Sequence, residues 1–184
     1  MAEWVKLHTA VYYNDYRGLI HNDFSAPLTN GVDAYQHGLE LGFDFLLTNW
    51  LTSFVNYTYQ NFNRDDFSSY AVDPPNMCNA GLRTICDKWT SNLVFHYVDR
   101  FYEIYDAANP VLGFLSNTGP QKVDPYTTID LRVAYTPINN LEFALTAANL
   151  FEDKHYESNP IPGLAGVGAD EIGRRITGTV SCKF

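Results

Sequence analysis

Three cysteines, five histidines and a surplus of carboxylates are the side chains of this 184-residue chain that could carry chemistry. Cys78 and Cys86 enclose the turn-rich segment Asn-Ala-Gly-Leu-Arg-Thr-Ile, a spacing that allows a local disulfide if the segment is a loop in an oxidising compartment. The alternative is a pair of unrelated free thiols, since the spacing matches no zinc pattern. His8, His21, His37, His96 and His155 are scattered, without the i, i+4 pair of a helical metal site. They read as polar residues of a lumen, rim or loop. Asp65-Asp66 and Asp170-Glu171 offer oxygens to a hard cation, but no EF-hand pattern surrounds them and solvated loop acid is the simpler reading. No Gly-x-Ser-x-Gly or comparable nucleophile context occurs. The residues therefore support no enzyme, no cofactor and no metal centre.

The elements that would position these groups are strands. Aromatics make up 15% of the chain, with 13 Tyr and 12 Phe, a balance that favours β-structure and interfacial positions. No window approaches the roughly 18 to 20 apolar residues of a membrane-spanning helix, and the start MAEWVKLHTAVYYND lacks the apolar stretch of a secretory signal. That excludes a helical membrane protein but not a barrel. A net charge of −9 argues against nucleic acid as a partner, because phosphate binding needs clustered Lys and Arg.

Alternation with period two recurs along the chain. Val5, Leu7, Thr9, Val11 and Tyr13 oppose Lys6, His8, Ala10, Tyr12 and Asn14. Leu39, Leu41, Phe43, Phe45 and Leu47 oppose Glu40, Gly42, Asp44 and Leu46. The same pattern predicts strands over 51–60, 89–98, 127–135, 141–147 and 175–184, with a further one over 101–105. These eight strands approach the 9 to 11 residues of a tilted membrane-crossing strand. Short connections at 48–50, 98–100 and 137–140 alternate with long ones at about 15–35, 62–88, 106–124 and 150–172, which are rich in Gly, Pro, Asn and Asp. That is the asymmetry of an outer-membrane barrel with short periplasmic turns and long extracellular loops. Glu40, Asp44, Asp130, Arg132, Glu142 and Arg175 all fall on the inward parity, an expensive set for a dry core but not for a wet or plugged lumen. The fold class expected is all-β, an antiparallel transmembrane β-barrel segment embedded in outer-membrane lipid.

Ala34-Tyr35-Gln36-His37-Gly38-Leu39-Glu40, Phe54-Val55-Asn56-Tyr57-Thr58-Tyr59, Asp130-Leu131-Arg132-Val133-Ala134-Tyr135 and Asn149-Leu150-Phe151-Glu152-Asp153-Lys154-His155-Tyr156 occur in an order that resembles the C-terminal half of TonB-dependent outer-membrane transporters. Gly173-Arg174 then opens the last strand, as such a pair does in that family. The last long motif is similar to the family's Asn-Leu-Phe-Asp-x-x-Tyr, with Glu152 in place of Asp and Tyr156 one position late. The resemblance implies a barrel of about 22 strands that holds an N-terminal plug, in the outer membrane of a Gram-negative cell. It also implies import of a scarce solute such as a ferric siderophore, energised through the TonB complex. On this expectation residues 1–184 are the C-terminal part of the barrel, without plug or signal peptide. They supply wall and loops to an extracellular small-molecule ligand. Phe184 reads as the terminal aromatic seen by the barrel assembly machinery, or more simply as one more rim aromatic. A self-contained eight-stranded barrel is the alternative architecture, and a barrel hydrolase would need a nucleophile that the chain does not display.

Overall fold

The structure, a computed structural model, describes residues 4–21, 29–64, 73–103, 121–158 and 171–183. Ten strands follow one another: β1 (Val5–His21), β2 (Thr29–Thr48), β3 (Leu51–Arg64), β4 (Asn76–Cys86), β5 (Trp89–Val98), β6 (Phe101–Glu103), β7 (Gln121–Val123), β8 (Tyr126–Ile138), β9 (Leu141–Ala148) and β10 (Arg175–Cys182). Eight of them form one sheet in the order β1-β2-β3-β4-β5-β8-β9-β10, and β6 with β7 forms a separate ribbon. Every pairing is antiparallel.

Period-two alternation becomes two chemically distinct faces because the register keeps one parity through the body of each pairing, shifting only toward the β1–β2 loop end and at two of the short turns. One cross-strand row reads Val5, Phe45, Ser53, Leu82, Leu93, Leu131, Ala147, Ile176. The next row on that face reads Leu7, Phe43, Val55, Ala80, Phe95, Ile129. On the opposite face lies His8, Gly42, Asn56, Asn79, His96, Thr128. A single sheet has nothing to pack its apolar face against. Among the described residues the buried hydrophobics are Ala34, Ala134, Ala144, Ala147 and Val123, whereas Leu145 is 58% exposed and Val180 66%. A water-soluble sheet would need a second layer over such a face; lipid supplies that cover in a barrel.

Both rims of the apolar face are aromatic. Trp50 and Trp89 lie at the short-turn end, where the Trp89 ring meets Tyr135 at 4.6 Å. Toward the loop end Tyr13, Tyr35, His37 and Tyr59 form a chain of ring contacts at 6.2 to 6.4 Å. Amphipathic rings of this kind sit at membrane–water interfaces.

The short turns lie at 49–50, 87–88 and 139–140, and each is tied to the next hairpin by a backbone bond. Trp50 O accepts from Ile85 N at 2.8 Å, Lys88 O from Thr136 N at 2.8 Å and Asn140 O from Lys183 N at 2.9 Å. At the other end the strands run well past a bilayer. The 20 residues of β2 extend about 66 Å along the strand at ~3.3 Å per residue, where 9 to 11 residues suffice to cross. The β1–β2 pairing shifts register twice near its loop end, between Tyr16 and Leu19 and between Leu19 and Ile20. There Gly18 takes φ 63° and donates its N–H to Asp33 Oδ1 at 2.8 Å.

Three expectations from the sequence are corrected. The segment 62–88 is not one long loop, because it contains strand β4, paired to β3 and β5 along its whole length. Cys78 and Cys86 therefore sit on a single strand, about 26 Å apart at ~3.3 Å per residue. A disulfide tolerates at most about 7 Å between Cα atoms, so this pair cannot form one, and both are free thiols. Mass spectrometry of alkylated protein from intact membranes should find Cys78 and Cys86 each carrying the label without prior reduction. Second, Asp99-Arg100 is not a turn between neighbouring strands. It is a break beyond which β5 continues as β6 (Phe101–Glu103), so the described part of the expected strand adds no crossing of its own, and the tight turn is Asp87-Lys88, with Asp87 at φ 51°. Third, most of 15–35 is paired strand, since β1 reaches His21 and β2 begins at Thr29. With these changes short and long connections still alternate strictly. Phe184, the expected terminal signal, lies outside the described residues, as do the acidic pairs' Asp65, Asp66 and Asp170.

Candidate functional site

The polar face is where the charged side chains gather. By register Glu40, Asp44, Asp130, Arg132, Glu142 and Arg175 all share it. Arg132 Nη2 donates to Glu142 Oε1 at 2.6 Å, and Asp44 Oδ2 lies 3.0 Å from His8 Nε2. Asp130 serves two neighbours: its Oδ1 accepts the Asn149 N–H at 2.9 Å, and its Oδ2 lies 3.6 Å from His96 Nε2. His96 Nδ1 in turn sits 2.6 Å from Asn79 Oδ1. Glu40 and Arg175 make no ion pair among the described residues. These are one-third or more exposed pairs, each worth little in water, and they leave a wet, mixed-charge wall, not an active centre. No group of three or more metal-ligating side chains is gathered among the described residues.

Two large rings lie flat on this wall because the neighbouring strand offers glycine. Tyr12 is paired with Gly38 and Phe54 with Gly81, and a Cβ at either glycine would collide with the ring. An aromatic covering a cross-strand glycine keeps the sheet smooth and pins its register.

The most closely built part of the face is the loop-side end of β8 and β9. Chain reversal after β9 uses two residues in the left-handed region, Asn149 at φ 50° and Glu152 at φ 60°. Asn149 tolerates this conformation because its side chain bonds locally: Nδ2 donates to Asp153 O at 2.8 Å, and Oδ1 accepts from Asp153 N at 3.0 Å. Its backbone N–H is the one held by Asp130. Leu150 N continues the ladder to Ile129 O at 2.7 Å. Beyond it, His155 stacks on Tyr126 with ring centroids 4.1 Å apart and pairs with Ile172 across the base of the loop. Arg174 closes the ring, reaching Leu150 O at 3.4 Å and Glu152 Oε2 at 3.3 Å. Both ends of the connection from 159 to 170 are thus fixed to one knot.

Asn149→Ala removes two side-chain bonds and places an ordinary residue at positive φ. We expect local destabilisation of about 1–3 kcal/mol. Hydrogen exchange should quicken at 149–157 while β5 stays protected.

A second polar cluster caps the outer face at the loop end. Tyr57 Oη donates to Asn76 Oδ1 at 2.6 Å, and Asn76 Nδ2 donates to Asp99 Oδ2 at 2.7 Å. The Asn76 amide, helped by the Arg100 N–H and opposed by desolvation, holds the Asp99 carboxyl below the usual carboxylate range. Alternation missed this cluster, because Asn76 belongs to the strand that the composition disguised. The knot residues 149–156 were marked in the sequence by their motif. Their partners Tyr126 and Arg174 are joined to them only by the fold.

Comparison with known proteins agrees with this architecture. A family model described as "TonB dependent receptor-like, beta-barrel" matches residues 2–150. Among solved structures the chain is similar to the copper transporter OprC, with a TM-score of 0.73, 16% identity, and coverage of 100% of this chain and 29% of that one. It is also similar to the ferric yersiniabactin uptake receptor FyuA from Yersinia pestis, with a TM-score of 0.73, 15% identity, and coverage of 100% and 28%. The ferripyoverdine receptor of the outer membrane of Pseudomonas aeruginosa gives 0.72, 15%, 98% and 25%. A search of the curated proteins gave no match. The chain spans between a quarter and a third of these structures' length, and at such identities the likeness speaks for the fold. With the matched region covering most of the residues, the chain belongs to the TonB dependent receptor-like β-barrel family.

Proposed function

We propose that this chain is the C-terminal portion of the barrel wall of an outer-membrane active-transport receptor, which takes up a scarce solute such as a ferric siderophore with energy delivered through TonB. One observation carries the reading. The sheet is apolar on one face and charged on the other, with every long connection at one end, as expected of a wall with lipid outside, a polar lumen inside and ligand-facing loops above. The six charged residues of the polar face then line the lumen. The knot at Asn149–His155 supports an extracellular loop.

The alternative of a self-contained eight-stranded barrel is disfavoured by the sheet's edges. β1 and β10 stand at opposite ends with no pairing between them, and unpaired backbone groups in lipid cost several kcal/mol each. A wider barrel gives each edge a neighbour.

The test is growth of an iron-limited Gram-negative host that produces the full-length receptor containing this segment, fed ferric siderophores of the catecholate, hydroxamate and mixed classes. Growth should depend on both the receptor and an intact TonB. Receptor-dependent uptake that survives loss of TonB would overturn the reading.

A further inference from the structure

The knot beyond β9 leaves one polar atom unanswered. The His155 side chain is only 5% exposed, and its ring is held from two sides. It lies flat on the Tyr126 ring, 4.1 Å between centroids and 16° between planes, and its Nδ1 sits 2.7 Å from Asp153 O. A carbonyl oxygen only accepts, so Nδ1 carries a hydrogen and donates it. In a neutral imidazole that assignment makes Nε2 a bare acceptor. Nε2 is closed off from solvent and has no hydrogen-bond partner among the described residues. The group it faces is the Glu157 carboxylate, with Oε1 at 3.6 Å, a second acceptor.

Two acceptors facing each other across a dry gap repel, and one proton removes the conflict. On Nε2 it turns the lone pair into an N–H aimed at the carboxylate, and the imidazolium becomes the partner of Glu157 in a charge-assisted bond. The Glu157 side chain is more than half exposed, so it can close the gap by turning about its own bonds. The surrounding charges favour the same state. Lys154 is paired with Glu171 at 3.7 Å and Arg174 with Glu152 at 3.3 Å, while Asp130 of β8 holds the Asn149 N–H. That leaves the carboxylates of Asp153 and Glu157 with no Lys or Arg partner among the described residues. From β8, Tyr126 presents the electron-rich face of its ring, which attracts a cation more than a neutral group.

We propose that His155 and Glu157 form a proton-operated latch at the base of this connection. With the ring doubly protonated, Asp153 O and Glu157 are both bonded, the ring is locked on Tyr126, and the His155–Ile172 backbone pair, at 3.3 and 2.8 Å, is held closed. With one proton gone, the lone pair again faces the carboxylate and the pair loosens. The bond to Glu157 exists only while Nε2 is protonated, so the latch is shut in acid medium and opens as the pH rises through the range in which imidazole discharges. The inference rests on the reading of this end as the extracellular one, and adds that outside acidity regulates how firmly the connection between β9 and β10 is anchored.

The experiment is hydrogen exchange with mass spectrometry on the full-length receptor in outer-membrane vesicles, at about pH 5.5 and about pH 8, on the two sides of histidine's charge change. Labelling times are scaled to the intrinsic exchange rate, and only receptor that migrates as folded, heat-modifiable protein is used. Peptides covering His155 and Ile172 should be about tenfold more protected in acid, the scale of one charge-assisted hydrogen bond, while β5 shows equal protection at both. Glu157→Gln should erase the difference, because its amide N–H can donate to the neutral ring. His155→Phe, which keeps the stack on Tyr126, should erase it too. A ratio near one in the unaltered receptor, or a ratio that survives in either variant, overturns the proposal. If the latch responds to pH but uptake is independent of TonB, the transport reading fails and the latch stands. If uptake needs TonB and the ratio is near one, the latch alone fails.

Discussion

Leu93→Arg in the intact receptor should cost about 2–4 kcal/mol, the price of a guanidinium at the middle of a lipid-facing strand. Leu93 lies halfway along β5, between Leu82 and Leu131 in the register, and is 40% exposed on a face that offers it no protein partner. The matched control is Thr90→Arg on the same strand. Thr90 faces the other way, opposite Ile85 and Ala134, and a cation there meets the polar side, so the change should stay within about 0.5 kcal/mol. Urea unfolding followed by heat-modified migration on gels reads both. Equal losses at the two positions would mean that both faces see the same solvent, and the barrel assignment would fall with that result.

Gly81→Leu should destabilise by about 1–3 kcal/mol through overpacking, although leucine is the better strand former. The cause is the Phe54 ring, which occupies the space that a Cβ at Gly81 would take. This makes the prediction separable from a generic glycine effect. Combining Gly81→Leu with Phe54→Ala should recover much of the loss, giving a coupling of about 0.5–3 kcal/mol in a double-mutant cycle. Additive losses would show that the ring does not hold this position in the folded receptor.

The strands that were legible in the sequence are those whose two parities differ strongly. Leu39 to Phe45 alternates aliphatic and aromatic side chains with glycine and carboxylates, and its face assignment holds in the register to its neighbours on both sides. β4 hid for a physical reason. Its lipid-side residues include Asn76, Cys78, Ala80 and Thr84, small or polar, while its polar side carries Met77 and Ile85. Hydrophobicity therefore hardly alternates, and Pro74, Pro75, Asn79 and Gly81 give the stretch the composition of a loop. What makes it a strand is pairing with β3 and β5, a property of the neighbours. An opposite effect acts at Phe101 to Tyr105, where the sequence pattern predicts a crossing of its own, whereas Phe101–Glu103 only prolongs β5. The total of eight agreed while two members differed. That Glu40, Asp44, Asp130, Arg132, Glu142 and Arg175 share one face was legible because parity alone assigns it. Their partners were not, since Arg132 reaches Glu142 and Asp130 reaches the Asn149 N–H across strands whose spacing in sequence says nothing of which side chain meets which.

The length of β1 and β2 beyond the bilayer has a further meaning for recognition. A flexible loop must surrender conformational freedom when it grips a ligand, at about 1–2 kcal/mol per ordered backbone residue. The upper part of this hairpin has already been ordered by folding, with its strands paired as far as His21 and Thr29. Side chains mounted there, such as Tyr16 and Gln36, already joined by a hydrogen bond at 3.1 Å, meet a visitor as a fixed template. A molecule that meets this part of the surface encounters a preorganised wall instead of a coil, and its affinity is spared the ordering cost.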